Sequence, residues 1–139
     1  MGKSQKPKYT YIPPQEDFYH KSDYSLEIRT STILGAGRGV FTNDTIEPNQ
    51  FIDQYMGEEM RYLCCGAYFV AFRDRPGGID AQSFPRCYMA MINDAYGSPY
   101  LNNCRLVEDA TGQIDVWSIN RIHPGEELFM SYGNEYWNR

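Results

Sequence analysis

The sequence predicts a mainly β domain of several short sheets with little helix. Three observations lead there. Apolar or alternating runs recur along the chain, each closed by Gly, Pro, Asn or Asp turn signals. No βαβ unit is readable, which argues against a Rossmann cofactor domain. The chain has 139 residues, 42% of them hydrophobic and 22% charged, so it is a single globular domain able to build a core without staples.

The elements follow in order. Lys3, Lys6, Pro7 and Lys8, then Pro13-Pro14, make residues 1–23 polar and extended, interrupted by Tyr9, Tyr11, Ile12, Phe18 and Tyr19. A loose tail and a strap that docks these aromatics are equally open readings. The domain proper spans 24–139. Leu26 to Arg29 alternates as a short strand. Gly35-Ala36-Gly37-Arg38-Gly39 is a glycine-rich loop, and Val40-Phe41-Thr42 is the strand after it. Asn43-Asp44 and Pro48-Asn49 bracket a connection to a strand from Phe51 to Tyr55, which Gly57 ends. Ala67 to Phe72 is β-prone, and Ile79 to Ala81 is placed to pair back across Asp74-Arg75-Pro76-Gly77-Gly78. Pro85 to Ile92 predicts a short helix with proline in its first turn. Cys104 to Val107 and Ile114 to Ile119 flank a polar stretch and predict a hairpin. Pro124-Gly125 is a turn before Glu127 to Tyr132, with His123 as a surface turn residue.

Charge narrows the function. A net charge of −5 suits a basic, Lys/Arg-rich partner and argues against direct binding of nucleic acid. The apolar runs are too short to cross a membrane. Met1-Gly2 opens like a myristoylation signal, but Lys6 stands where Ser or Thr is required. Cys64, Cys65, Cys87 and Cys104 form no C-x-x-C pair and read as reduced thiols of an intracellular protein, small hydrophobes more than metal or redox groups. With His20 and His123 the only histidines, no metal site is expected.

Several motifs could carry chemistry. The glycine loop lets backbone approach a ligand, yet it lacks the P-loop pattern; alone it reads as a tight turn. Asn93-Asp94, and Asn103-Cys104 ten residues on, could cap or bind. Gly125-Glu126-Glu127-Leu128 leads into Ser131-Tyr132-Gly133. Twelve tyrosines suit either a β core or a narrow ligand channel.

The order of these pieces is the informative feature. Gly37-Arg38-Gly39-Val40-Phe41 comes first, then Tyr55-Met56-Gly57-Glu58, Ile79-Asp80-Ala81, Ile92-Asn93 with Asn103-Cys104, and finally Gly125-Glu126-Glu127-Leu128 with Ser131-Tyr132-Gly133. From Leu26 to Trp137 the series resembles the SET-domain protein lysine methyltransferases. The ending Tyr132 to Trp137 looks most like the compact viral members.

The resemblance implies a SET fold of short β-sheets with knot-like carboxyl-terminal threading. It implies S-adenosyl-L-methionine on one face and a lysine threaded from the other, on a histone tail or another basic protein. Gly37, Arg38 and Gly39 would meet the cofactor through backbone, Asn93 through its side chain, and Trp137 against the adenine. Tyr132 would sit where methyl donor and lysine meet. Tyr55, Tyr68 and Tyr136 would line the lysine channel. Action in the nucleus is the matching expectation, and a homodimer is compatible with it. Two departures stand out. The family reads Asn-His-Ser where this chain has Asn93-Asp94-Ala95; Asp94 would replace the His beside a cationic sulfur, or mark an inactive module that binds a basic peptide. The sequence shows no cysteine-rich zinc segment after Trp137, so Trp137 and its neighbours are expected to close the pocket without metal, or with the help of a partner.

Overall fold

The computed structural model describes residues 17–63 and 66–131. Its strands are β1 (Phe18–Tyr19), β2 (Leu26–Thr30), β3 (Arg38–Thr42), β4 (Phe51–Gln54), β5 (Glu58–Met60), β6 (Phe69–Ala71), β7 (Gly78–Asp80), β8 (Arg86–Cys87), β9 (Cys104–Glu108) and β10 (Ile114–Ser118). They form small sheets, as expected. β2–β3, β4–β10–β9 and β5–β7–β6 are antiparallel, whereas β1 runs parallel to β8. A 3-10 turn, Tyr88–Met91, follows β8. Among the described residues no helix is long and apolar enough to cross a membrane.

The strands form where side-chain alternation meets a partner. In β2, Leu26 and Ile28 face the core while Glu27 and Arg29 face solvent. β3 is different: Gly39 through Thr42 are all buried. Its second edge is covered by residues 125–128. Leu128 N–H donates to Val40 O at 2.8 Å, and Phe41 bridges Glu127. A strand covered on both sides reads as a continuous apolar run. The β9–β10 hairpin is closed by Asp109 N–H donating to Gln113 O at 2.8 Å. The core joins all of these elements, with Val40, Ile46, Ile114, Val116, Ile122 and Leu128 fully buried.

Three segments depart from the sequence reading. The expected helix from Pro85 to Ile92 is instead β8 followed by the 3-10 turn. A helix of about two turns is marginal alone, and pairing of Phe18 with Arg86 and Tyr19 with Cys87 wins. Beyond Gly57 the polar Glu58–Met60 adds a strand, because β7 offers it an edge. Residues 127–131 make single bridges to Phe41 and Asn93 on either side.

Phe18 is buried, so the end of the 1–23 segment packs on the domain. Residues 1–16, Cys64-Cys65 and the expected threading of 132–139 lie outside the described residues.

Candidate functional site

Glu127 is the hub of the site. Its carboxylate is buried. Ser31 Oγ donates to it at 2.8 Å, Thr32 N–H at 2.8 Å and Thr32 Oγ1 at 2.7 Å. Asn93 Nδ2 adds a fourth donor at 3.3 Å and also donates to Arg38 O at 3.0 Å. One carboxylate therefore ties both ends of the glycine loop to Asn93. The loop needs its glycines for this. Gly37 takes φ of +77°, open to glycine at no steric cost. Its carbonyl accepts from Ser31 N–H at 2.8 Å, which closes the loop. Gly39 has a second reason. A Cβ there would collide with Glu127 Oε2 and come within 3.1 Å of Asn93 Nδ2.

Asn103 braces the same segment. Its Nδ2 donates to Glu127 O at 3.0 Å, and its Oδ1 accepts from Phe129 N–H at 2.8 Å. Met130 N–H donates to Asn93 O at 3.0 Å. Residues 127–131 are thus held between Asn93 and Asn103, with Tyr132 next in the chain.

Tyr55 and Tyr68 are brought together on the other side. Tyr55 is buried, and its hydroxyl donates to Tyr68 O at 2.7 Å. Ala81 N–H donates to the same oxygen at 3.0 Å. Arg86 lies buried beside them, its guanidinium 3.8 Å above the Tyr68 ring and 4.3 Å from that of Phe84. Its Nε donates to Ala81 O at 3.0 Å and its Nη2 to Gln82 O.

Asp94 sits half-buried at the edge of a cavity of about 750 Å³ that it shares with Tyr96, Tyr100, Leu101, Asn102 and Ser131. Its Oδ1 accepts from Tyr96 N–H at 2.9 Å and Asn102 Nδ2 at 3.2 Å. A smaller cavity of about 320 Å³ lies against Thr32, Asn103, Glu127 and Phe129. A third, of about 230 Å³, opens among Tyr19, Met56, Glu58, Asp80 and Pro85. There Glu58 stands directly opposite Asp80 in the ladder. Like charges so placed repel, and among the described residues neither has an ion-pair partner.

Of the residues singled out in the sequence, Gly37, Arg38, Gly39 and Asn93 converge on Glu127. Asp94 adjoins them, and Tyr55 meets Tyr68. Tyr132, Tyr136 and Trp137 lie outside the described residues. Among the described residues no three His, Cys, Asp or Glu side chains gather as a metal site. Cys87 and Cys104 are free and buried, and burial pushes both thiols up, away from the reactive thiolate. Glu127, Ser31, Thr32 and Arg86 were not assigned roles from the sequence. The available signal for Glu127 was a charge leading straight into the apolar run Leu128-Phe129-Met130.

The chemistry of the cradle suits a cationic ligand. Glycines open the loop, and buried Glu127 and half-buried Asp94 contribute negative charge.

This arrangement of small sheets is a known one. The methyltransferase domain of human PR domain-containing protein 2 matches it with a TM-score of 0.63 at 19% identity, covering 80% of this chain and 78% of that one. At that identity the likeness speaks for the fold alone. The family is shown by the sequence itself: the SET domain model matches residues 37–133, and the chain belongs to the SET domain family. A search of curated protein sequences finds no match.

Proposed function

We propose that this SET domain methylates a lysine in a basic protein segment, such as a histone tail, using S-adenosylmethionine. The observation that carries this reading is the Glu127 clasp, which gathers the glycine loop and Asn93 into one cradle five residues before Tyr132 in the sequence. Bound there, the cofactor supplies a methyl group on a positively charged sulfur. Gly37, Arg38 and Gly39 would hold it through backbone. Both hydrogens of the Asn93 amide already have protein acceptors, so Asn93 would offer its remaining oxygen. Trp137 would pack on the adenine.

The lysine must arrive neutral, although free lysine has a pKa of about 10.4. A dry channel walled by Tyr55, Tyr68 and Tyr136 disfavours the ammonium by desolvation. Tyr132 is a poor base, since free tyrosine has a pKa of about 10. Its hydroxyl would orient the reacting groups instead. The opposed Glu58 and Asp80 at the cavity beside Met56 favour a substrate with further basic residues. A histone substrate would place this activity in the nucleus. The nearer likeness to compact viral SET proteins rests on the Tyr132–Trp137 motif and belongs to the same proposal.

One observation favours a second reading. Asp94 replaces the family histidine, and a domain that had lost catalysis would still bind a basic peptide. Transfer of labelled methyl to whole histones and histone-tail peptides separates the two. The expected result is signal on one peptide, abolished in Tyr132→Phe. Methylation unaltered by that change would remove Tyr132 from the site, and peptide binding without transfer would favour the inactive module.

A further inference from the structure

Glu127 carries a buried charge with no ion-pair partner among the described residues. It is 4% exposed. Its four donors, from Ser31, Thr32 and Asn93, are all neutral. Among the described residues no Lys, Arg or His lies within ion-pair distance of it. Hydroxyl and amide dipoles can hold a carboxylate out of water, but they leave its net charge in place. A buried charge is also screened far less by salt than an exposed one.

That charge stands behind Gly39 and beside Asn93, and it borders the cavity of about 320 Å³ shared with Thr32 and Phe129. A ligand in the cradle is therefore weighed by its own charge. S-adenosylmethionine carries a positive sulfur. The thioether left after methyl transfer, S-adenosylhomocysteine, has the same adenosine and amino-acid parts and a neutral sulfur. Hydrogen bonds to the shared parts cannot distinguish the two, whereas a fixed negative charge can. Glu126 in the same cavity and Asp94 in the neighbouring one also carry carboxylates, but both are more exposed, so solvent weakens their fields.

We propose that Glu127 is the specificity-determining residue that makes the cradle favour the sulfonium donor over its neutral thioether product, which promotes product exchange. The proposal rests on the methyltransferase reading. At an effective dielectric of about 20, the attraction of one such charge for the sulfonium corresponds to a preference on the order of tenfold.

Calorimetric titration of the full chain with S-adenosylmethionine and with S-adenosylhomocysteine tests it. Wild type should bind the sulfonium more tightly. Glu127→Gln should lose most of that preference, while Glu127→Asp, which keeps the charge, should weaken both ligands together and retain the ratio. A purely structural Glu127 would make the Gln variant weaken both ligands equally, and an unchanged ratio overturns the proposal. Should the Gln variant not fold, wild type decides alone: equal affinity for the two ligands sinks the proposal and leaves the methyltransferase reading standing. Failure to bind either ligand would remove both.

Discussion

Glu127 and Arg86 are both buried, and neither has an ion-pair partner among the described residues. Glu127 lies on the side of the glycine loop. Its charge is met by the hydroxyls of Ser31 and Thr32, one backbone N–H and the Asn93 amide. Arg86 lies on the side of Tyr55 and Tyr68. Its charge is met by the carbonyls of Ala81 and Gln82 and by two aromatic faces. An ion pair would have cancelled each charge locally. Neutral dipoles satisfy the hydrogen bonds in both places. The fold thus holds a lone carboxylate at the cradle and a lone guanidinium in the wall beside Tyr68, opposite in sign and each met by neutral groups.

The sharpest way to break the negative side is Gly39→Ala. The new Cβ would meet the Glu127 carboxylate and crowd Asn93 at 3.1 Å. Either the carboxylate moves and loses its donors, or β3 shifts. A loss of about 2–4 kcal/mol is expected, read as a lowered midpoint in urea unfolding. Combining it with Glu127→Asp, one methylene shorter, should recover part of that loss. Strict additivity of the two changes would mean that the clash is elsewhere.

On the positive side, Arg86→Met keeps much of the side-chain volume and removes the donors to Ala81 O and Gln82 O. The expected cost is about 2–3 kcal/mol. Arg86→Lys should recover little, because an ammonium cannot stack its plane on Tyr68 and Phe84 while forking to two carbonyls. A Met variant as stable as wild type would show that the ring contacts alone hold this wall together.

The two regions were unequally legible in sequence. Local alternation and turn residues were enough for the β2–β3 pair, the β6–β7 pair and the β9–β10 hairpin, whose partners are near in the chain, and for the turn-bounded run of β4, although its partner β10 is distant in sequence. The pieces of the cradle were legible as motifs: Gly37-Arg38-Gly39, Asn93 and Asn103 all reach the Glu127 strand. The wall was not. β8 forms by pairing with β1, more than sixty residues earlier in the chain, and Arg86 is satisfied by carbonyls and rings that only tertiary structure assembles. A lone arginine after proline gives no sign of burial. The Gly125-Glu126-Glu127-Leu128 motif gives no sign of what Glu127 does, because the groups that hold it come from a loop ninety-five residues away.

A third buried charge adds a pH-dependent case. Asp115, in β10, is pushed up to about 7 by burial, by its hydrogen bond to Asp109, and by the charges of Asp109 and Asp53. Its partner Asp109 is held below the usual carboxylate range, chiefly by the Thr111 hydroxyl, so the shared proton resides on Asp115. The unfolded chain releases that proton near pH 3.9, whereas the native state keeps it until about pH 7. This group's contribution to stability is therefore complete below pH about 4 and is lost as pH rises through about 7. Asp115→Asn should match wild type near pH 4 and exceed it at pH 8. A variant less stable than wild type at pH 8 would contradict this assignment.

The smallest effect should come from a pair that looks best by distance. Arg121 Nε lies 2.7 Å from Glu47 Oε1, with both side chains more than half exposed. By length alone this ion pair outranks the bond from Arg86 Nε to Ala81 O. Water already solvates both groups, however, and holding two long side chains in one geometry costs rotamer freedom. Glu47→Ala should change stability by no more than about 0.5 kcal/mol, and less as salt is added. If its cost approached that of Arg86→Met, burial would not be what gives the interior charges their weight. The contrast between exposed pairs and the lone interior charges at Glu127 and Arg86 would then have to be argued from geometry instead.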